Sequence, residues 1–542
     1  MSPARRDSRA ARPPHPVRPA PPRAALAEPA RPRDWVLILD FGSQTTQLIA
    51  RRVREAGVYS EIRPHTLAAS ELRRLAPRAL ILSGSPSSAY RPGAFRVDPG
   101  IFAAGLPLLG ICYGMQATMQ QLGGRLARAA RAEYGTVTYC VDRPSELTRG
   151  LARRFRAWMS HGDEVAELPP GFLATGHTAN CAVASARHGE RPWHFVQFHP
   201  EVVHTVGGAA LLANFLFRVA RLKPSWSMGD FLEREAAAVR RAVGKRRVLC
   251  GLSGGVDSSV VAALIHRAIG RRLTCLFVDH GLLREGESDQ VMASLAGRLG
   301  VEVVRVDARR RFLRALAGVS DPERKRKIIG REFIRVFEAE ARRLGKVDFL
   351  AQGTLYPDVI ESASGGHGAQ VIKSHHNVGG LPARMRLRLV EPLRLLFKDE
   401  VRALGRKLGL PRSLVGRHPF PGPGLAVRIL GAVTEEDLAV LRRADAIFLE
   451  ELRRARQYDR VWQAFAVLLP VRTVGVKGDE RSYERVVALR AVTSQDGMTA
   501  DWARLPAGLL VRAASRIANE VGGVNRVVYD VSSKPPATIE WE

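Results

Sequence analysis

The 542-residue sequence predicts an α/β protein with two doubly wound parallel-sheet domains and a smaller α+β carboxyl-terminal domain. Two stretches of the chain alternate short apolar runs with amphipathic segments, a pattern typical of parallel sheets wrapped by helices. The alternation stops after Leu410-Pro411. A turn-rich segment, His418-Pro-Phe-Pro-Gly-Pro-Gly424, then leads into one long helix and β-rich residues. The predicted segments are therefore 1–33, 34–223, 224–417 and 418–542.

The apolar runs that predict the strands are bounded by Gly, Ser or Asp. In the first unit they are Val36-Leu-Ile-Leu39, Ala79-Leu-Ile-Leu82 and Leu106-Pro-Leu-Leu-Gly-Ile111. In the second unit they are Val248-Leu-Cys-Gly-Leu252, Leu273-Thr-Cys-Leu-Phe-Val278, Val301-Glu-Val-Val-Arg-Val306 and Val347-Asp-Phe-Leu350. The long helix of the third unit is expected over about 435–456.

Composition narrows the setting in which the protein works. No apolar run approaches the ~20 residues that span a bilayer, so no membrane segment is expected. Five scattered cysteines without CxxC spacing argue against a disulfide framework and a zinc site. A reducing cytoplasm fits best, because it also keeps a catalytic thiol reduced.

The formal net charge of +30 comes almost entirely from arginine, since only 10 of the 83 basic residues are lysine. Such a ratio indicates biased coding DNA, with arginine replacing lysine on ordinary surfaces. The alternative is a nucleic-acid-binding surface. The basic residues are spread along the chain with few aromatic residues among them, so no nucleic-acid partner is expected.

Residues 1–33 contain nine prolines and eight arginines but only two acids. They cannot bury enough apolar surface to offset the entropy of ordering, which predicts a disordered tail. An organellar transit peptide is the alternative, but its helix would be broken by these prolines.

A candidate nucleophile lies in Gly110-Ile-Cys-Tyr-Gly-Met-Gln116. A strand that ends at Ile111 and a helix that begins near Tyr113 place Cys112 on a sharp turn, where the helix dipole favours the thiolate. Glycines on both sides suit a crowded elbow. The alternative is an ordinary buried cysteine.

A candidate base follows the apolar run Phe195-Val-Gln-Phe198. His199 is placed at the end of a strand, and Glu201, two residues further on, can hold its imidazole in one tautomer. A His-x-Glu sequence alone is often accidental, but together with the cysteine elbow it predicts a nucleophile, a base and an orienting carboxylate.

These residues resemble the class I glutamine amidotransferase family, whose triad is a Cys in G-x-C-x-G and a His-Pro-Glu. The resemblance implies that 34–223 is an amidotransferase domain. In it Cys112 would form a glutamyl thioester, His199 would pass protons to the departing ammonia, and Glu201 would orient the imidazole.

The oxyanion loop departs from the family pattern. It usually reads Ser-Gly-Gly-Pro, whereas this chain has Ser83-Gly-Ser-Pro86. The resemblance assigns the oxyanion to the backbone N–H groups of Ser85 and Tyr113. Because a residue with a Cβ tolerates fewer backbone angles than glycine, Ser85→Gly is expected to raise glutaminase turnover.

A second site is indicated by Ser253-Gly-Gly-Val-Asp-Ser-Ser259, between a strand and a helix. Glycines let backbone N–H groups close on phosphate oxygens, and the helix amino end favours negative charge. No Gly-Lys-Ser/Thr follows, so the loop is not a Walker A motif. A plain structural turn is the alternative.

This loop resembles the PP-loop of ATP pyrophosphatases, which cleave ATP between the α and β phosphates and adenylate an acceptor. The resemblance implies that 224–417 binds ATP and that Asp257 is associated with Mg²⁺. The implied ATP contacts are Ser253, Gly254, Gly255, Val256, Asp257, Ser258 and Ser259.

Several downstream segments resemble the GMP synthetase family: Lys325-Arg-Lys-Ile-Ile-Gly330, Gly353 to Ser362, Lys373 to Gly380, Arg417 to Gly424 and Lys534-Pro-Pro-Ala-Thr-Ile-Glu-Trp-Glu542. The resemblance implies amination of xanthosine 5′-phosphate with glutamine and ATP, and a homodimer formed through 418–542. It also implies nucleotide contacts at Arg326, Lys373, Asp479, Lys534, Thr538 and Glu540. The alternatives are a solvated charged face for the first segment and a frayed terminus for the last.

Two other functions remain open on the sequence alone. Another amide-dependent PP-loop ligase, such as NAD synthetase, shares the phosphate loop but should lack the 534–542 ending. A basic RNA-binding or RNA-modifying protein would account for the charge and predicts a salt-sensitive RNA complex.

Overall fold

A computed structural model of the chain describes residues 31–345, 347–363, 387–477, 479–494, 497 and 499–542. The strands are β1 Trp35–Asp40, β2 Tyr59–Pro64, β3 Ala79–Leu82, β4 Leu108–Ile111, β5 Arg125–Val141, β6 Arg154–Glu167, β7 Phe172–His177, β8 Ser185–His188, β9 Trp193–Val196, β10 Val248–Leu252, β11 Leu273–Asp279, β12 Val303–Asp307, β13 Phe349–Ala351, β14 Arg388–Val390, β15 Gln463–Lys477, β16 Glu480–Thr493, β17 Asp501–Trp502 and β18 Val524–Tyr529. The α-helices are α1 Thr46–Glu55, α2 Ala69–Leu75, α3 Gly100–Ala103, α4 Tyr113–Gln121, α5 Gly208–Asn214, α6 Met228–Val243, α7 Val256–Ile269, α8 Glu287–Met292, α9 Arg309–Leu316, α10 Pro322–Arg343, α11 Tyr356–Ala363, α12 Lys398–Lys407, α13 Arg412–Val415, α14 Glu435–Arg454 and α15 Ala507–Glu520.

The first sheet has the strand order β2-β1-β3-β4-β9-β8-β7-β5-β6. Its first five strands are parallel, as predicted, and β3 and β4 are wholly buried. Strands buried on both faces read as continuous apolar runs rather than as alternating ones, which is why the sequence pattern identifies them.

The other four strands of this sheet pair antiparallel, which the sequence analysis did not predict. The long strands β5 and β6 form a ribbon with register shifts, and β5 alternates exposed and buried residues only irregularly. A clear period of two is therefore missing from the sequence there. The ribbon brings β6 beside Cys112.

The second sheet is entirely parallel, with the order β12-β11-β10-β13-β14. The strand order reverses beside β10, and in open α/β sheets ligands bind at the carboxyl ends of the strands at such a point. The predicted phosphate loop, Ser253 to Ser259, follows β10 directly, and its last four residues form the first turn of α7.

The third sheet is built around the hairpin of β15 and β16, with β17 and β18 beside β16. Helix α14 packs against it and ends at Arg454, two residues before the predicted limit. The hairpin is long, and β18 pairs with β16 only between Arg485 and Leu489. Its outer half therefore extends beyond the third strand.

One arginine joins the first two sheets. Arg54 of α1 lies 2.9 Å from Glu400 Oε2 of α12 and donates to the carbonyl oxygens of Ser60 and Leu395. Four aromatic rings surround its guanidinium: those of Tyr59, Trp226, Tyr356 and Phe397. Burial opposes the charge, but the carboxylate of Glu400 raises the pKa of Arg54 above its ordinary value.

No helix in the described part of the chain is long and apolar enough to cross a membrane.

Candidate active site

Cys112 occupies a turn between β4 and α4, with φ +52° and ψ −106°. An L-residue rarely adopts a positive φ, so the turn is strained at Cys112 itself. The flanking glycines are required by close packing. A Cβ on Gly110 would lie 2.5 Å from the ring of Phe195, and one on Gly114 would lie 2.5 Å from the carbonyl oxygen of Leu82.

The thiol of Cys112 is buried among polar partners. Its sulfur lies 3.7 Å from the carbonyl oxygen of Ser160 on β6 and accepts from Gln197 Nε2 at 3.6 Å. Gln116 Nε2 in turn donates to Gln197 Oε1 and to the carbonyl oxygen of Asp163. Sequence analysis missed Gln197, although it stands two residues before His199 in the same apolar run.

His199 and Glu201 form a buried pair beside this thiol. The imidazole Nδ1 lies 2.7 Å from Glu201 Oε1, and the Glu201 side chain is fully buried. Burial favours the neutral ring, but the charges of Glu201 and Cys112 outweigh it and raise the pKa of His199 well above its ordinary value. The site therefore favours an imidazolium next to the sulfur.

The loop predicted to hold the oxyanion lies against this imidazole. A Cβ on Gly84 would come within 3.1 Å of His199 Cε1, whereas the φ of Ser85 lies outside the left-handed region. The glycine that the geometry needs is thus Gly84, and the backbone strain expected at Ser85 is absent. Among the described residues, no acceptor is hydrogen-bonded to the backbone N–H groups of Ser85 and Tyr113.

The phosphate loop is closed by its own serines. Ser253 Oγ accepts from the N–H of Gly255, and Ser258 Oγ accepts from the N–H of Ser253. Gly254 has φ +76°, which favours glycine, and its carbonyl oxygen accepts from Arg417 NH1 at 2.9 Å. Val256, Asp257, Ser258 and Ser259 form the first turn of α7, so the helix amino end faces the loop.

Asp257 is held by a lysine that the sequence analysis did not identify. Lys398 Nζ, at the start of α12, lies 2.7 and 2.6 Å from the two carboxylate oxygens. Within the described ranges there is no group of three or more His, Cys, Asp or Glu side chains that could hold a metal. A single carboxylate beside a phosphate loop fits Mg²⁺, which binds through one or two carboxylates plus substrate phosphates.

The carboxyl-terminal segment, residues 534–542, is docked against α10 and β15; it is called the docked segment below. Glu540 pairs with Arg428 at 2.9 Å and accepts from Gln463 at 2.6 Å, while Arg326 contacts the main chain of Glu542. Lys534 Nζ donates to the carbonyl oxygen of Gly497 at 2.8 Å, and the hydroxyl of Thr538 contacts the main chain of Glu540. Four of the predicted nucleotide contacts therefore belong to one docked segment or touch it.

Of the two remaining predicted contacts, one is not described and the other lies elsewhere. Lys373 lies outside the described residues. Asp479 is exposed in the turn just after Lys477, the last residue of β15, and Lys477 stands fourteen positions beyond Gln463 on that strand. At the rise of a β-strand that separation is about 45 Å. Asp479 is thus remote from Glu540 of its own chain.

Family comparisons divide the chain in the same order as the three sheets. The family described as glutamine amidotransferase class-I matches residues 37–219, NAD synthase matches residues 230–328, and the GMP synthase C terminal domain matches residues 450–541.

Relatives match nearly the whole chain. The chain is 56% identical over 517 residues to the protein named GMP synthase [glutamine-hydrolyzing] of Thermosynechococcus vestitus, with 94% of this chain and 97% of that protein covered. It is 58% identical over 511 residues to the protein of the same name from Symbiobacterium thermophilum, with 94% and 99% covered. It is also 58% identical over 521 residues to the one from Rhizobium etli, with 95% and 100% covered.

Proposed function

The chain belongs to the glutamine-hydrolyzing GMP synthase family, and from that premise we propose how its residues divide the reaction. It is a ligase that aminates xanthosine 5′-phosphate to GMP, using glutamine and ATP and releasing glutamate, AMP and pyrophosphate. The NAD synthase match covers only the part of the chain that carries the phosphate loop, so it is the shared ATP domain and not a second function.

The glutaminase half is assigned to Cys112, His199 and Glu201. The thiolate attacks the carboxamide carbon of glutamine, and the N–H groups of Ser85 and Tyr113 stabilise the oxyanion. Because Nδ1 of His199 is engaged by Glu201, the proton passes to the leaving ammonia from Nε2. Water then hydrolyses the thioester and releases glutamate.

The synthetase half is assigned to the loop from Ser253 to Ser259. Its backbone N–H groups and serine hydroxyls hold the ATP phosphates at the amino end of α7. Asp257 is the residue that would hold Mg²⁺ with these phosphates, and such a cation would supply neutralisation of the charge on the departing pyrophosphate. Adenylation of O2 of the xanthine ring makes AMP the leaving group. Ammonia then displaces AMP at the ring carbon that carries O2.

The xanthine nucleotide is assigned to the docked terminal segment. Arg326 and Lys534 supply positive charge for the phosphate, and Thr538 and Glu540 supply hydrogen-bonding groups for ribose or base. Support for this assignment comes from the segment's position, since Glu540 remains partly exposed while Arg428 and Gln463 fix its carboxylate.

A homodimer is assigned to residues 418–542, on the outer half of the β15–β16 hairpin. Val471, Val474, Val476 and Tyr483 are exposed there, the last two by 74% and 63%, and the last three lie beyond the reach of β18. Exposed apolar residues on a two-stranded arm favour burial against another copy. Val476→Lys combined with Tyr483→Lys should convert a dimer into a monomer in sedimentation, whereas a wild-type monomer would refute the assignment.

No nucleic-acid partner is proposed, because the basic residues are spread along the chain with few aromatic residues among them, and some of the arginines are engaged inside the protein. Arg54, Arg428 and Arg490 are buried and paired with Glu400, Glu540 and Asp530. A reducing cytoplasm suits the proposed chemistry because Cys112 must remain a thiol, and all five cysteines are free.

One observation carries the two-site function: a cysteine–histidine–glutamate cluster and a phosphate loop lie on separate sheets of one chain. The test is the change in near-ultraviolet absorbance as xanthine nucleotide becomes guanine nucleotide, with ATP and either glutamine or ammonium. Turnover with both nitrogen donors is expected. Failure with both donors in folded enzyme would refute the function.

A further inference from the structure

Arg428 is a fully buried cation at the end of the turn-rich segment 418–428. Its Nε and NH2 donate to the two carboxylate oxygens of Glu540 at 3.1 and 2.9 Å. The guanidinium lies over Phe465 at 4.1 Å from the ring centroid and over Phe420 at 5.1 Å. A planar guanidinium stacked against two rings can form its two hydrogen bonds to a carboxylate in only one orientation.

The backbone that carries Arg428 is itself fixed by a second buried cation. Lys325 of α10 is fully buried, and its Nζ donates to the carbonyl oxygens of Ala426 at 3.1 Å and Ile429 at 2.7 Å. The same ammonium group lies 2.6 Å from Glu542 Oε2. Lys325 thus fixes the main chain on both sides of Arg428 by hydrogen bonds, and it fixes the end of the docked segment through Glu542.

Glu540 keeps capacity for a ligand in this arrangement. Its Oε1 accepts from Arg428 and Gln463, whereas the described residues offer Oε2 only the Nε–H of Arg428. A carboxylate oxygen can accept about two hydrogen bonds, so Oε2 has room for one more donor. Ring N–H groups of a xanthine base are donors of that kind.

We infer that Arg428, locked by Lys325, is the positioning residue that aims the carboxylate of Glu540 at the base of the xanthine nucleotide. The inference rests on the proposed role of Glu540 in binding that nucleotide. Arg428 does not touch the substrate. It acts by fixing one carboxylate in one orientation, so its loss should weaken nucleotide binding and leave chemistry on bound nucleotide largely intact.

The test uses the full-length enzyme in ammonium-dependent amination at saturating ATP, with xanthosine 5′-phosphate varied. Arg428→Lys keeps the charge and loses the planar guanidinium, and we expect KM for the nucleotide to rise about tenfold or more with kcat within about threefold. Arg428→Ala should behave likewise, and added guanidinium should restore part of the affinity because the space between the two rings accepts it.

Arg284→Lys is the matched control. Arg284 is largely buried, pairs with Asp445 at 3.0 Å and lies over the same Phe420 ring, but its hydrogen bonds and ion pair do not involve residues 534–542. It should leave KM for the nucleotide at the wild-type value. Glutaminase activity, measured on every variant, reports whether the rest of the chain is folded.

Glu540→Gln separates the inference from the proposed function. If it leaves KM for the nucleotide unchanged, the assignment of Glu540 to the substrate is wrong. If it raises KM but Arg428→Lys does not, the assignment stands and the positioning role of Arg428 is refuted. Combining the two changes should add little to either alone, because residues that act as one unit are not additive. Effects that multiply would also overturn the inference.

Discussion

Lys398 and Asp257 are joined by two short contacts, 2.7 and 2.6 Å from the ammonium group to the carboxylate oxygens. They stand 141 positions apart in the chain, at the first turns of two different helices. The pair presents a cation and an anion together beside the phosphate loop. We expect adenylation at this loop to depend on the charge of Asp257.

Asp257→Asn should therefore remove adenylation. A neutral amide can neither balance Lys398 nor hold a cation with the phosphates, so pyrophosphate release is expected to fall about 100-fold or more. Labelling of Cys112 by a glutamine-like chloroketone should continue at the wild-type rate and serves as the folding control. Pyrophosphate release at the normal rate would show that Asp257 is not part of the ATP site.

Cys112→Ala should abolish glutamine-dependent amination, by about 1,000-fold or more, and preserve the ammonium-dependent reaction. The nucleophile and the phosphate loop lie on separate sheets, so losing one leaves the other intact. Cys181→Ala is the matched control, since burial raises the pKa of that thiol to about 12 and makes it inert. Equal loss with both nitrogen donors would refute the two-site mechanism.

Gly84→Ala and Ser85→Gly form a pair of opposite expectations. A methyl group at position 84 would press on the imidazole of His199, so glutamine-dependent turnover should fall about 10- to 100-fold. Ser85→Gly should change it little, because Ser85 has no positive φ to relieve. Both variants should keep the ammonium-dependent rate. A faster Ser85→Gly glutaminase would restore the expectation from the sequence.

Glu201→Gln should shift the pH dependence of glutaminase activity. Burial lowers the pKa of His199, but Glu201 and Cys112 raise it by more, so the imidazolium persists above its ordinary range near 6.5. Activity that needs this proton is retained at lower pH and lost as pH rises through the raised pKa. Without the Glu201 charge that loss should occur at lower pH. Superimposable pH profiles of kcat/KM for glutamine would contradict the assignment.

Truncation after Ser533 should abolish GMP formation while glutaminase activity survives. The deletion removes Glu540 and Glu542 and leaves Arg428 and Lys325 buried without their carboxylate partners. An unpaired buried charge is costly, so the third domain should also melt at lower temperature in calorimetry. Normal affinity for xanthosine 5′-phosphate in the truncated protein would refute the role of the segment.

Local patterns in the sequence predict the turn at Cys112 and the loop at 253–259, because each is a strand, a tight turn and a helix contiguous in the chain. The parallel strands are identified for a similar reason, since burial on both faces leaves continuous apolar runs. Sequence patterns stop predicting contacts where the contacting residues are distant in the chain. Lys398, Arg428 and Gln197 carry no motif of their own, and only the fold brings them to Asp257, Glu540 and Cys112.

Length along a strand also decides what a motif can reach. Asp479 matches a family position, yet the hairpin holds it about 45 Å from the docked segment of its own chain. The antiparallel ribbon of β5 and β6 was missed because its irregular register blurs the period of two. Composition and residue spacing predict neither the distance of Asp479 from the docked segment nor the register shifts between β5 and β6.

The backbone at Cys112 places two evolutionary demands in opposition. Glycine alone adopts a positive φ without cost, so any other residue there forfeits about 1 kcal/mol or more of folding free energy. Selection for stability alone would drive this position toward glycine, and a glycine could never attack glutamine. Replacing Cys112 by glycine would therefore relieve the backbone strain in one substitution. Such a descendant would survive only where ammonium replaces glutamine as the nitrogen source.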